Sequence, residues 1–146
     1  MSSEITIKPF RMAHLDIFRV VESHKAECKA ATDLFRGLAD RHQLATHMID
    51  GRIIYIAGYF QVLPGVLEVF MHPSIYLKEH KFAVIRYVRW WLDHMAHEHK
   101  ARRIQTWGMT NPESDKWLRS LGFVEEGVLN SYLLDGSPVK IWGKLY

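Results

Sequence analysis

Hydrophobic and polar positions divide this 146-residue chain into short blocks whose period switches between two and about 3.6. In "EITIKPF", Ile5 and Ile7 alternate with polar neighbours and Pro9 ends the run, which predicts a first strand with one face buried. From His14 to about Arg41 the spacing turns helical. Leu15, Phe18, Val20 and Val21 share one arc and Leu34, Phe35 and Leu38 another, so two short helices are expected, the second weakened by Gly37. "LATHMIDGRIIYIAGYFQV" then sets Asp50-Gly51 between two apolar, β-branched-rich runs, the pattern of a tight hairpin.

"PGVLEVFMHP" follows a Pro64-Gly65 turn and is apolar at nearly every position, as a central strand covered on both faces would be. Glu68 is its one acid. Between Phe82 and His99, Val84, Val88, Trp91, Leu92 and Met95 fall on one arc and Arg86, Arg89, Asp93 and His97 opposite, which predicts a core-facing helix of about four turns. "RRIQTWGM" reads as the next strand. Strand, crossover helix and strand over residues 66–109 imply a βαβ unit with parallel strands. In "NPESDKWLRSLGF", Asn111 suits an N-cap, Pro112 the first helical position and Gly122 the position past the end. The chain closes on "VLNSYLLDGSPVKIWGKLY". There Asp135-Gly136 predicts a second hairpin burying Tyr132, Leu134, Val139 and Ile141.

A chain of this length with 48% hydrophobic residues suits a single domain over residues 1–146. Its formal charge of +3 tolerates an anionic ligand but is too mild to argue for nucleic acid, and no nucleic-acid motif accompanies it. One cysteine, Cys28, excludes an internal disulfide. "MSSEITIKPF" lacks a signal-peptide pattern, and the longest apolar run, Ile53 to Phe60, is too short to cross a membrane. A cytoplasmic protein without membrane partners is therefore expected. His94, His97 and His99 beside Asp93 suggest a metal site only superficially, because His99 points away from the other two and no distant ligand completes a tetrahedral set. No metal is expected.

The order of elements is similar to that of the GNAT-type N-acetyltransferases along nearly the whole chain. "NPESDKWLRSLGFVEEGVL" resembles that family's segment of Asn, short helix, Gly-Phe and strand, with Asn111, Gly122, Phe123 and Gly127 in register, and "LEVFMHP" resembles its central strand. The likeness is nearest to a small group of GNAT-like proteins encoded by tailed bacteriophages, on the stretch "RWLDHMAHEHKARRIQTWGMTNPESDKWLRSLGF". Some of that group are internal virion or morphogenesis proteins. The resemblance implies an α/β fold, a mixed sheet in a three-layer sandwich that opens between the strands at residues 66–72 and 102–109. It also implies acetyl-CoA as cofactor and an amine as acceptor.

The family's phosphate loop, Gln/Arg-x-x-Gly-x-Gly/Ala, falls on Lys78-Glu79-His80-Lys81-Phe82-Ala83. Backbone N–H groups and a helix N-terminus would there face the pyrophosphate. Ala83 matches, Lys78 supplies a cation where the family has Gln or Arg, and Lys81 replaces the central glycine. Lys81 either blocks backbone approach, if that position needs positive φ, or meets a phosphate with its ammonium. By the same resemblance the backbone of Phe70, Met71 and His72 would pair with pantetheine, Asn111 would join the cofactor site, and Glu68 would take the amine proton. Glu68 has a second reading, as the partner of an arginine on a neighbouring strand. The tyrosine that the family often places four residues before its Gly-Phe is Leu118 here, with Tyr132 as a geometric substitute. Two functions stand: an acyl-CoA-dependent N-acyltransferase, or a binding or structural protein of a phage particle or its assembly, with its own copies or phage-particle proteins as partners, that keeps the fold after its chemistry has decayed.

Overall fold

The computed structural model describes residues 4–146. The elements are β1 (Thr6–Pro9), α1 (His14–Ile17), a 3₁₀ turn (Glu22–His24), α2 (Lys25–Ala30), α3 (Thr32–Asp40), β2 (Leu44–Ile49), β3 (Arg52–Leu63) and β4 (Val66–Pro73). A second 3₁₀ turn (Leu77–His80), α4 (Lys81–Glu98), β5 (Arg103–Met109), α5 (Pro112–Ser120), β6 (Val124–Leu129) and β7 (Val139–Leu145) follow. The seven strands form one mixed sheet in the order β1-β2-β3-β4-β5-β7-β6, flanked by helices. As the βαβ pattern requires, β4 and β5 run parallel, with Val66, Leu67 and Glu68 opposite Arg103, Ile104 and Gln105. Two compact units divide the chain. The first runs to Phe60 and includes Phe70–Val84; the second holds Gln61–Val69 and Ile85–Tyr146.

In the first unit the Asp50-Gly51 hairpin forms as its sequence demands, with both residues at positive φ (51° and 77°) and Ile49 opposite Arg52. β1 pairs with β2 at one end of the strand order, and its predicted buried face is absent: Ile7 is 44% exposed, and Phe10, just past the strand, enters the core instead. The helical stretch is more broken than expected, with α2 and α3 meeting at Ala31. Phe35 and Leu38 are fully buried, while Leu34 is 46% exposed. One residue is about 100° of helix, so a core arc centred between Phe35 and Leu38 leaves Leu34 on its rim. Phe10, Cys28, Phe35, Leu38, Leu44, Ile53 and Ile56 form this unit's core, with Phe70 packed against it.

In the second unit β5 alternates as far as Gly108. Ile104, Thr106 and Gly108 are buried, and Arg103, Gln105 and Trp107 are half-buried on the other face. The α5 signals hold: the Asn111 side chain accepts the Ser114 N–H at 2.8 Å, and Gly122 has φ +93°. The terminal hairpin departs from expectation. β6 and β7 pair, but nine residues (130–138) connect them, and Asp135-Gly136 turns locally inside that loop through Gly136 N–H to Leu133 O at 2.8 Å. Pro138 has no N–H for a ladder, so β7 begins only at Val139. Val139 is buried and Ile141 half-buried as expected, whereas Tyr132 (47%) and Leu134 (69%) are exposed. No described helix is long and apolar enough to cross a membrane.

Candidate active site

Eight of the ten residues assigned to the site from sequence lie in the first unit. At the end of β4, Phe70 and His72 turn toward α3, as strand alternation requires. The Phe70 ring stacks on Phe35 at 6.1 Å, and the His72 ring meets Phe35 edge-on at 5.5 Å. His72 is buried, with its Nδ1 3.1 Å from Nδ1 of His24. Burial pulls His72 down to about 3, with His24 adding to the shift, and burial pulls His24 down to about 4 against a small opposing effect of Glu27. Both imidazoles are neutral, and one donates to the other. With the Phe70 and His72 side chains committed to packing, what Phe70, Met71 and His72 offer a ligand is backbone.

The loop after β4 is pinned before it reaches the helix. Ser74 N–H donates to Ile54 O (2.9 Å), Ile75 N–H to Arg19 O (2.8 Å), and the Ser74 hydroxyl accepts Tyr76 N–H (3.1 Å). The 3₁₀ turn Leu77–His80 then feeds α4 at Lys81, whose φ and ψ are −53° and −46°. A helical φ suits any L-residue, so this backbone does not require the glycine that Lys81 replaces. The first turn of α4 contains no acid. Lys78 is exposed, His80, Lys81 and Ala83 are half-buried, and Phe82 stands 82% exposed. The N-terminus of α4, with Lys78 and Lys81 near it in the chain, favours an anion, and Glu79 between the two lysines opposes it.

The second unit holds Glu68 and Asn111. The half-buried Glu68 accepts a hydrogen bond from Gln105 Nε2 at 2.9 Å. Gln105 Oε1 in turn accepts from Arg103 Nε at 2.9 Å, and the Arg103 guanidinium grips Glu126 through Nη1 (2.9 Å) and Nη2 (2.5 Å). The arginine-partner reading of Glu68 is therefore corrected. A neutral amide from the paired strand meets the carboxylate, because the neighbouring arginine is already taken by Glu126. That bond in turn holds the Arg103 guanidinium above, and the Glu126 carboxylate below, their ordinary values. Tyr132 lies within electrostatic reach of Glu68. Burial and then that carboxylate's charge push its phenol up.

Sequence reasoning did not find Gln105, Arg103 and Glu126. Arg103 and Gln105 carried a weak signal as polar residues at alternate positions of a strand. Glu126 is set by a register shift between Glu125 and Gly127, which no local pattern announces. Leu118, standing where a tyrosine is common, is a core residue that fills the space above Gly108. Among the described residues no group of three or more His, Cys, Asp or Glu could hold a metal ion.

No protein-family model and no curated protein matches the chain. Solved structures do. Ard1 from Thermoplasma volcanium superposes with a TM-score of 0.72 at 12% identity, over 97% of each chain. A GNAT-family acetyltransferase from Bacillus anthracis gives 0.67 at 11% identity, over 99% of this chain and 96% of that one. The ribosomal-protein-S5-alanine acetyltransferase from Vibrio fischeri gives 0.63 at 18% identity, over 97% and 92%. The chain has the fold of the GNAT acetyltransferases.

Proposed function

We propose that the chain is an acyl-CoA-dependent N-acyltransferase that moves an acetyl group to an amine. The observation that carries this reading is Glu68, a half-buried carboxylate on an otherwise apolar central strand, held by a neutral amide. A base so placed can accept a proton from an incoming ammonium. Lys78, His80, Lys81, Phe82 and Ala83 would hold the pyrophosphate, through the first N–H groups of α4 and the two ammonium groups. Phe70, Met71 and His72 would pair with pantetheine by backbone. Asn111, whose side-chain oxygen caps α5, would meet the cofactor with its amide N–H. Acetyl-CoA, when bound, supplies a thioester whose acyl carbon the free amine attacks, the C–S bond breaking as the thiolate leaves. Glu68 takes the first amine proton, and solvent takes the second once the amide has formed.

The absence of a tyrosine at Leu118 favours a second reading, a phage structural or assembly protein that retains the fold without the chemistry. Titration with acetyl-CoA, followed by melting temperature and calorimetry, separates the two. Saturable stabilisation that Lys78→Glu abolishes with folding intact supports the enzyme. No stabilisation at millimolar acetyl-CoA sinks it.

A further inference from the structure

The β5 face that carries Arg103, Gln105 and Trp107 holds an imbalance of charge. Arg103 is matched by Glu126, so the two carboxylates and one guanidinium of the Glu68–Gln105–Arg103–Glu126 chain leave one negative charge, on Glu68. Among the described residues none of the ion pairs includes Glu68. A half-buried carboxylate hydrogen-bonded to a neutral amide gains from a cation that the protein does not itself supply.

Aromatic surface stands beside that charge. Trp107 is two residues beyond Gln105 on the same face of β5, and the Tyr132 ring lies 5.7 Å from it at 53°. Tyr132 is itself within reach of the Glu68 charge. The helices of this unit, α4 and α5, attach to the opposite face: Asp115 of α5 binds Lys140 (2.8 Å), Leu118 packs over Gly108, and Asp93 of α4 binds Lys144 (3.4 Å). The polar and aromatic face is left clear of them.

We propose that this face is a binding site for a small protonated amine with an apolar, preferably aromatic body, the ammonium on Glu68 and the body against Trp107 and Tyr132. Ring faces attract a cation as well as covering apolar surface, so the two aromatics and the carboxylate select the same ligand. The site also selects against a class: for an amine carrying its own carboxylate, the guanidinium of this chain of groups, Arg103, is already engaged by Glu126. As the identity of the acyl acceptor this rests on the acyltransferase reading; as a binding site it does not.

Three probes with one body test it: 2-phenylethylamine, the zwitterion phenylalanine and the neutral 2-phenylethanol. Each is titrated into the ¹⁵N-labelled chain without cofactor, following the indole N–H signal that Trp107→Phe removes. Saturable movement by the amine is expected, with both others at least about tenfold weaker: the alcohol because it lacks the charge-assisted contact, and phenylalanine because its carboxylate is repelled by Glu68. In Glu68→Gln, with its melting temperature near wild type, the preference for amine over alcohol should vanish. Equal binding of amine and alcohol, a preference that survives Glu68→Gln, or no saturable shift of Trp107 would each overturn the inference. Acetyl-CoA binding without amine binding sinks this inference alone. Amine binding without acetyl-CoA binding sinks the acyltransferase reading and leaves the amine site standing.

Discussion

A side chain at position 143 would collide with the polar bridge of the second unit: a Cβ on Gly143 would sit 2.6 Å from Glu126 Oε1 and 2.7 Å from Arg103 Nη1. β7 lies between β5 and β6 in the sheet, and its glycine lets the ion pair pass over it. Gly143→Ala is expected to cost about 1–3 kcal/mol in urea unfolding, as overpacking does, and less in a Glu126→Ala background, where part of the obstruction is gone. A cost independent of residue 126 would sink that account. The His24–His72 pair makes a prediction in pH. Both imidazoles are held below the 6.5 of the free side chain, His72 to about 3 and His24 to about 4. Below about pH 6.5 the unfolded chain therefore binds protons that the folded chain refuses. Stability is fully present above that pH and falls toward pH 4, by at most about 1.4 kcal/mol per pH unit for each imidazole. His72→Leu should flatten the loss between pH 7 and pH 5, read from urea midpoints; an unchanged slope would mean the pair does not carry it. Residue chemistry was legible where a lone residue broke a pattern, as Glu68 breaks an apolar strand. It was not legible at Gly143 or Glu126, whose roles depend on strand order and a bulge.

Elements followed the sequence where local signals agreed with one another. Asn111, Pro112 and Gly122 bracket α5, and the structure shows the cap they imply: Asn111 Oδ1 accepting Ser114 N–H at 2.8 Å. Asn111→Ala should then lower stability by about 1 kcal/mol, measured by thermal or urea unfolding, with Asn111→Asp retaining most of the cap. Equal losses for both substitutions would remove the cap as the cause. Asp50-Gly51 was legible for the same reason, since turn and flanking strands demand one geometry. Asp135-Gly136 misleads because the same dipeptide can close a turn inside a loop. Tyr132 N–H and Leu133 N–H both donate to Ser137 O, and Pro138 ends the possibility of a ladder. From His14 to about Arg41 the two expected helices are three, because the backbone turns extended at Phe18 (ψ 119°) and Val21 (ψ 148°), inside the arc that Leu15, Phe18, Val20 and Val21 would share on one helix.

At the scale of the molecule, solved GNAT-type structures at 11–18% identity share the fold, so the fold does not depend on most of the residue identities. That is why the fold could be read from the sequence while Lys81, a departure from the phosphate-loop pattern, could not be interpreted until its φ of −53° was known. The chain carries 19 Lys and Arg against 16 Asp and Glu. So small an excess gives little general attraction for an anion, and an anionic cofactor must be drawn by charges concentrated near its phosphates. On the proposed function, Lys78 and Lys81, either side of Glu79 and beside the acid-free first turn of α4, are the charges that would do so. On that reading, binding of acetyl-CoA should weaken as salt rises from about 50 to about 500 mM, because salt screens the attraction between solvent-accessible charges. Lys78→Glu combined with Lys81→Glu should lower affinity by more than about tenfold at low salt, since two attractive contacts become repulsive, and should reduce or reverse the salt dependence. Calorimetry across the salt series checks both. An unchanged salt slope in the double variant would place the cofactor's phosphates elsewhere on the protein.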